Sequence, residues 1–284
     1  MSKLQQVVGL QQLEQLKNLY SRDPKYLKEF YCLDNYLELH RKDAKLRNVN
    51  VYTVPNLDLG LFVVVDRYLL FMGCLENERS EELLRDSLDQ LAWFGGLQLA
   101  SMPQRYFKAA YEIVQAKKLP FNSVISNSFV LSQEKALQFE VNPPVGFYLK
   151  SLDIKDAQVI EDHWKWSVPG SLFFFQRQIA FNICVGLYEE KTNELVAWCI
   201  RAPDGVLAAL QVKDSHQRRG FGVLIVKEFS RRVALQGQDV MTEVDQDNEA
   251  SSALFRKMGF KLFDQSNWLM TKAENGDFQW PDGE

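Results

Sequence analysis

One succession of elements is readable twice along the 284 residues, and this repeat is the tightest constraint on the fold. In the first half, Leu10, Leu13, Leu16 and Leu19 recur at helical spacing, and residues 24–42 predict a second helix with Pro24 at its start. Short β-rich runs follow at 49–54, 61–65 and 68–75, broken by Pro55-Asn56, Gly60 and Asp66-Arg67. Ser80 is placed to cap a helix reaching residue 91, and Pro103 to open another. Strands are expected at 124–131 and 136–141.

Asn142-Pro143-Pro144 then interrupts the pattern, because two prolines remove two backbone donors and stiffen the chain. Beyond it the order restarts. A strand at 146–149 precedes helices at 153–166 and 173–180 and strands at 183–189, 195–201 and 206–213. A helix at 222–236, a strand at 240–245, a helix at 249–258 and a strand at 261–269 complete the second round. The expected fold class is α+β, with two tandem domains, 1–144 and 145–284. Each should hold a mixed, mostly antiparallel sheet flanked by helices.

Composition narrows the function classes. With 46% hydrophobic and 25% charged residues the chain has enough apolar side chains for two cores, which excludes disorder. The net charge of −4 argues against a general nucleic-acid surface. Cys32, Cys74, Cys184 and Cys199 form no CxxC pair, and three histidines give no zinc spacing, so neither a disulfide framework nor a metal is expected. The N-terminus lacks signal-peptide character, and the longest apolar run, 68–75, is under half of the roughly 20 residues a membrane helix needs. The expected location is cytoplasmic, with mitochondrial import the alternative, and no membrane partner is expected.

One stretch departs from the acidic background. From Lys213 to Arg232 there are six basic residues and two acidic ones. Within it, the apolar strand 206–213 ends in polar residues, and Gln217-Arg218-Arg219-Gly220-Phe221-Gly222 opens an amphipathic helix. The first N–H groups of a helix have no intrahelical partner, and the helix dipole places partial positive charge there. Gly220 and Gly222 permit close backbone approach, and Arg218 and Arg219 add charge. This is an anion cradle, or, more plainly, a capped helix with two solvated arginines.

That stretch resembles the acyl-CoA-binding signature of the GNAT superfamily of N-acyltransferases, (Q/R)-x-x-G-x-(G/A), in its strand-to-helix setting. A second run, Asn248 followed by Ala250, Leu254, Phe255 and Lys257-Met258-Gly259-Phe260, is similar to the segment that follows in that superfamily. Residues 161–171, Phe175 to Ile179, Val185-Gly186-Leu187-Tyr188, 195–199 and 244–249 are similar to the glycine N-acyltransferase-like family, and the likeness is diffuse over 1–144. The resemblance implies a degenerate GNAT-like first domain and an acyl-CoA-binding second one. It implies direct transfer of an acyl group, from acetyl-CoA or another acyl-CoA, to the amine of a small molecule such as glycine or another amino acid. It implies main-chain contacts from Leu210 and Val212 to the pantetheine arm. The N–H groups from Arg218 through Arg219, Gly220 and Phe221 to Gly222 would hold the pyrophosphate, with Gln217 at the motif's first position. Asn248 would lie near the thiol end and Phe255 beside the thioester. The loop after strand 68–75, Glu76-Asn77-Glu78-Arg79-Ser80, has no glycine and two glutamates, so one CoA site per chain is expected.

Acyl transfer also needs a proton acceptor. Relatives of the glycine acyltransferase type read Pro-Glu-Tyr-Arg before the loop, and here the four residues are Asp214-Ser215-His216-Gln217, so Ser215 stands at the Glu position. His216 is the candidate base, since an imidazole titrates near neutrality, or else a loop histidine with no such role. Glu243 and Asp245 alternate with Thr242 and Val244, so they share one sheet face and are the other candidate catalytic groups, or simply a solvated face. Phe255 replaces the frequent general-acid Tyr. In the family, the aromatic run His163, Trp164, Trp166, Phe173, Phe174 and Phe175 lies where the acceptor site is walled, and core packing is the plainer reading for most of it. Two other readings stay open: a CoA-binding regulatory pseudo-enzyme, and a binding module that uses the basic stretch. No nucleic-acid partner is expected, and oligomeric state is not legible.

Overall fold

In this computed structural model, residues 3–43, 46, 48–168 and 170–273 are described. They form two compact units, Met1–Ser126 with Asp264–Glu284, and Asn127–Phe263. The division does not coincide with the 144/145 boundary read from the prolines. Asn142-Pro143-Pro144 lies inside the second unit, and the chain passes between units within two long strands instead.

The first unit contains β1 (Gln5–Gln6), α1 (Leu10–Tyr20), α2 (Leu27–Lys42), β2 (Val49–Thr53), β3 (Phe62–Asp66) and β4 (Leu69–Gly73). It continues with α3 (Ser80–Asp89), β5 (Gln98–Pro103), α4 (Phe107–Ala116) and the start of β6 (Phe121–Leu131). The second holds the end of β6, then α5 (Gln133–Leu137), β7 (Phe147–Lys150), α6 (Ala157–Asp162), α7 (Ser171–Phe181), β8 (Cys184–Glu189), β9 (Leu195–Arg201) and β10 (Leu207–Val212). It is completed by α8 (Phe221–Ala234), β11 (Val240–Asp245), α9 (Glu249–Lys257) and the start of β12 (Lys261–Thr271), whose remainder lies in the first unit. The expected α+β class and the repeated order of elements are both present.

Three local expectations are corrected. Residues 136–141 do not form a strand. Ser132 caps the short helix α5, accepting from Lys135 N at 3.5 Å, and Ala136 is buried in the core. Ser80 is the first residue of α3 rather than its cap, and its hydroxyl donates back to Asn77 O at 3.0 Å. Pro103 ends β5, a strand that sequence periodicity did not reveal.

In the second unit the strand order is β7-β8-β9-β10-β11-β6. Neighbours from β7 to β10 are antiparallel, and β10 and β11 are parallel. The sheet separates two cores. On one face Ile225, Val226, Phe229 and Val233 of α8 pack with Leu187, Val196, Cys199, Leu207, Val240 and Val244. On the other, Ile160 of α6 and Phe175 and Ile179 of α7 pack with Cys184, Tyr188, Trp198 and Ile200. Each such buried side chain contributes about 1.5–3 kcal/mol by leaving water.

All four cysteines are buried thiols outside any disulfide. Burial pushes the thiols of Cys74 and Cys184 up to about 12, and raises that of Cys199 as well. The reactive thiolate is therefore suppressed at neutral pH. A disulfide-exchange dye at pH 8 should label the native chain at least about tenfold more slowly than the chain unfolded in guanidinium, because burial both hides these thiols and disfavours the thiolate. Rapid native labelling of all four would contradict this packing.

Candidate functional site

The site begins with an irregularity in β10. Leu207 lies opposite Thr242 of β11, and Thr242 Oγ1 donates to Leu207 O at 3.1 Å. On the other side the pairing with β9 shifts register between Ala208 and Gln211. Ala209 there has φ 50°, a left-handed conformation that costs a residue with a Cβ about 1–2 kcal/mol. The bulge resets the alternation of side chains. Ala208 and Ala209 both join the α6/α7 face, Leu210 and Val212 turn to the α8 face, and Gln211 comes opposite Trp198. No register pair beyond Leu207–Thr242 joins β10 to β11 among the described residues.

The following loop is built from its own side chains. Asp214–His216 form a single 3-10 turn, and Gln217 Nε2 donates to Asp214 Oδ1 at 2.7 Å. Ser215 Oγ lies 2.8 Å from His216 Nδ1. The His216 ring stacks on Phe221 (centroids 6.1 Å, 25°) and meets Phe147 edge-on (6.0 Å, 82°). The Arg219 guanidinium lies 5.7 Å over the Phe221 ring and 5.8 Å over the Phe147 ring. Arg218 and Gly220 are both left-handed, with φ 61° and 79°.

Gly220 is the N-cap of α8, and no side chain caps that helix. Its first N–H groups therefore face the loop with no side-chain acceptor. A Cβ at Gly220 would meet nothing within 4 Å, so the approach is open. A Cβ at Gly222 would lie 3.7 Å from Val212 Cγ2 and 3.8 Å from Leu254 Cδ1, which places the end of β10, the start of α8 and α9 together.

The remaining candidates separate by face. Val240 and Val244 of β11 belong to the α8 core, so Glu243 and Asp245 point to the α6/α7 side. Ser128 Oγ donates to Glu243 Oε1 at 3.2 Å, and Lys165 Nζ pairs with Asp245 Oδ2 at 3.3 Å. His216, resting on Phe147 and Phe221, is on the α8 side. The structure therefore does not bring His216 together with Glu243 and Asp245. Asn248 caps α9, its Oδ1 accepting from Ser251 N at 3.1 Å. Phe255 is 2% exposed and packs edge-on against Phe260 at 5.1 Å, as a core residue.

Of the aromatic run, Phe175 is core, with Trp164 and Phe174 packed against it. Trp166 is half exposed, and Lys165 Nζ lies 4.7 Å over its ring. Sequence reasoning did not find Ser128 or Lys165, which reach β11 from distant positions. Gln211 was hidden by the bulge that turns it. Among the described residues, no group of three or more His, Cys, Asp and Glu side chains is disposed to hold a metal ion, and no helix is long and apolar enough to cross a membrane.

In the first unit the comparable region is closed. β4 and β5 pair in parallel at Leu69–Gln98 and Leu70–Leu99. Just beyond β4, Tyr106 Oη accepts from Cys74 N at 3.2 Å and lies 3.0 Å from Cys74 O and 2.7 Å from Glu29 Oε1. The next loop is tied down too, with Glu76 N donating to Tyr26 Oη (2.8 Å) and Lys25 Nζ pairing with Glu76 Oε2 (2.8 Å).

Residues 184–269 match the family model described as FR47-like protein. No curated protein matches the chain. Among solved structures, a Drosophila protein is similar over 96% of this chain and 99% of its own, with 22% identity and a TM-score of 0.86. A tandem GNAT protein from the clavulanic acid biosynthesis pathway is similar over 97% and 100%, with 16% identity and a TM-score of 0.51. A GCN5-related N-acetyltransferase from Sphaerobacter thermophilus is similar over 95% of each chain, with 12% identity and a TM-score of 0.53. The fold is a tandem GNAT fold. Its second copy holds the open loop, and its first copy holds the Tyr106 closure.

Asn248→Ala should lower stability by about 1 kcal/mol through loss of the α9 cap, and Asn248→Asp should lose much less. Denaturant unfolding of the two variants checks this, and equal losses would show that the cap is not the stabilising contact.

Proposed function

We propose that the second unit binds an acyl-CoA and transfers its acyl group directly to the amine of a small molecule, with glycine or another amino acid as the acceptor class. The observation that carries this reading is the uncapped N-terminus of α8, placed behind the left-handed Arg218 and Gly220 and beside the point where β10 leaves β11. Oriented N–H groups, a helix dipole and two arginines suit a pyrophosphate. The freed edge of β10 at Leu210 and Val212 suits an amide-bearing arm that adds to the sheet as a strand would. Arg219 is held in place by Phe147 and Phe221, so little ordering remains to be done on binding.

In the transfer, the amine lone pair attacks the thioester carbonyl carbon. The N–C bond forms, the C–S bond breaks, the sulfur leaves as thiolate, and the amine gives up a proton. This chain's part is to hold the thioester at the parting strands and to receive that proton. Glu243 and Asp245 line the face opposite α8, and we place the amine there, because core side chains fill the α8 side.

A second reading, a CoA-binding regulatory protein without efficient turnover, is favoured by Ser215 at the position where similar sequences carry Glu and by Phe255 in place of Tyr. Thiol release from acyl-CoAs in a matrix of primary amines, with products weighed by mass spectrometry, separates the two. Acyl-CoA-dependent product is expected, and tight binding without product in any well would establish the second reading.

Titration calorimetry should give one acyl-CoA per chain, since Tyr106 engages both main-chain groups of Cys74 in the first unit. A stoichiometry of two would overturn the closure argument. Gly220→Asp places a carboxylate in the cradle and forces a Cβ into φ 79°, so acyl-CoA affinity should fall by about tenfold or more. Unchanged affinity would mean that the phosphates bind elsewhere.

A further inference from the structure

The acyl-transfer reading leaves the proton acceptor without an owner, because His216 lies on the α8 side of the sheet. The carboxylates on the opposite face already have partners, Ser128 for Glu243 and Lys165 for Asp245. Among the described residues, that face also carries an imidazole, His163, from the aromatic run.

His163 follows the last turn of α6. Its Nδ1 lies 2.8 Å from Val159 O. A carbonyl only accepts, so Nδ1 carries the proton, and in the neutral ring the lone pair is on Nε2. The ring stands edge-on to Trp198, with centroids 5.3 Å apart and planes at 80°. Trp198 is 1% exposed and fixed in the α6/α7 core, so it orients the imidazole. It also lies opposite Gln211 in the β9–β10 register, so His163 rests on the residue that neighbours the bulged end of β10. Two residues on, Lys165 reaches Asp245 at the end of β11. The segment from His163 to Lys165 is thus held to β9 at Trp198 and to the end of β11 at Asp245, on the face carrying Glu243 and Asp245. His163 itself is exposed.

Resting on the acyl-transfer reading, we propose that His163 is the catalytic base. As the acceptor nitrogen forms its bond to the thioester carbonyl carbon and the C–S bond breaks, the proton leaving that nitrogen goes to His163 Nε2, and from there to the departing thiolate or to solvent. Val159 O fixes which nitrogen is free, and Trp198 fixes where it points.

The test uses the full chain with His163→Gln and His163→Ala. Thiol release is measured with acetyl-CoA and the amine acceptor that the wild type acylates fastest, acetyl-CoA affinity by calorimetry, and folding by thermal melt. Both variants are expected to lose about 100-fold in kcat, the low end of what a positioned base contributes. Affinity for acetyl-CoA should stay within about twofold, and added imidazole should restore turnover in His163→Ala in proportion to its concentration. Variants that turn over within about threefold of the wild type would overturn the proposal. A kcat loss accompanied by lost acetyl-CoA affinity and no imidazole rescue would also overturn it, by showing a structural role. A wild type that binds acetyl-CoA but acylates no amine would fail at the first measurement, which marks failure of the acyl-transfer reading itself and removes this assignment with it.

Discussion

The bulge in β10 is the constraint on which the second unit's site depends. An unbroken strand would keep its alternation, send Leu210 and Val212 to the α6/α7 face and turn Gln211 into the α8 core. By putting Ala208 and Ala209 on one face, the chain inverts the register of everything downstream. The left-handed φ at Ala209 costs about 1–2 kcal/mol. That cost is offset locally, because Leu210 and Val212 then pack against the α8 core. The same distortion ends the pairing with β11, so one irregular residue opens the sheet and supplies the start of the loop.

The loop that follows shows how a locally basic segment works inside an acidic chain. Charge alone would leave Arg218 and Arg219 as two solvated side chains. Here Arg219 is laid over two aromatic rings, Gln217 is folded onto Asp214, and Ser215 meets His216, which stacks on Phe221. Each contact is worth about 1 kcal/mol or less at an exposed site. Together they restrict 214–221 to one shape, which lowers the ordering cost for any anion bound at the helix start.

Most of this was legible in the sequence, element by element. The helical spacing of Val226, Phe229 and Val233 located α8, and the alternation in β11 put Glu243 and Asp245 on one face. What periodicity cannot supply is the identity of the face. That depends on which helix covers which side, and Phe147, which decides the position of the His216 ring, is remote in sequence. The strand β5 escaped because a strand ending in proline reads as a helix start. The unit boundary escaped because β6 and β12 carry the chain between units without any change in composition. His163 likewise reads as one member of an aromatic cluster until its hydrogen bond to Val159 O and its edge contact with Trp198 are seen.

The first unit shows that a shared framework does not preserve a site. Its β4 and β5 begin parallel, as β10 and β11 do, yet Tyr106 engages both main-chain groups of Cys74 where an open edge would otherwise follow. Burial and the neighbouring Glu29 push the Tyr106 phenol up, so it stays protonated and remains both donor and acceptor there. Removing the ring would expose the edge but would not restore an anion site, because the next loop, Glu76-Asn77-Glu78-Arg79, has no glycine and is fastened through Glu76 to Lys25 and Tyr26. Closure by Tyr106 and the absence of a glycine in residues 76–80 are consistent with each other. Once the loop cannot take an anion, no ligand opposes a side chain filling the gap, and a filled gap stabilises the core that the remaining strands must share.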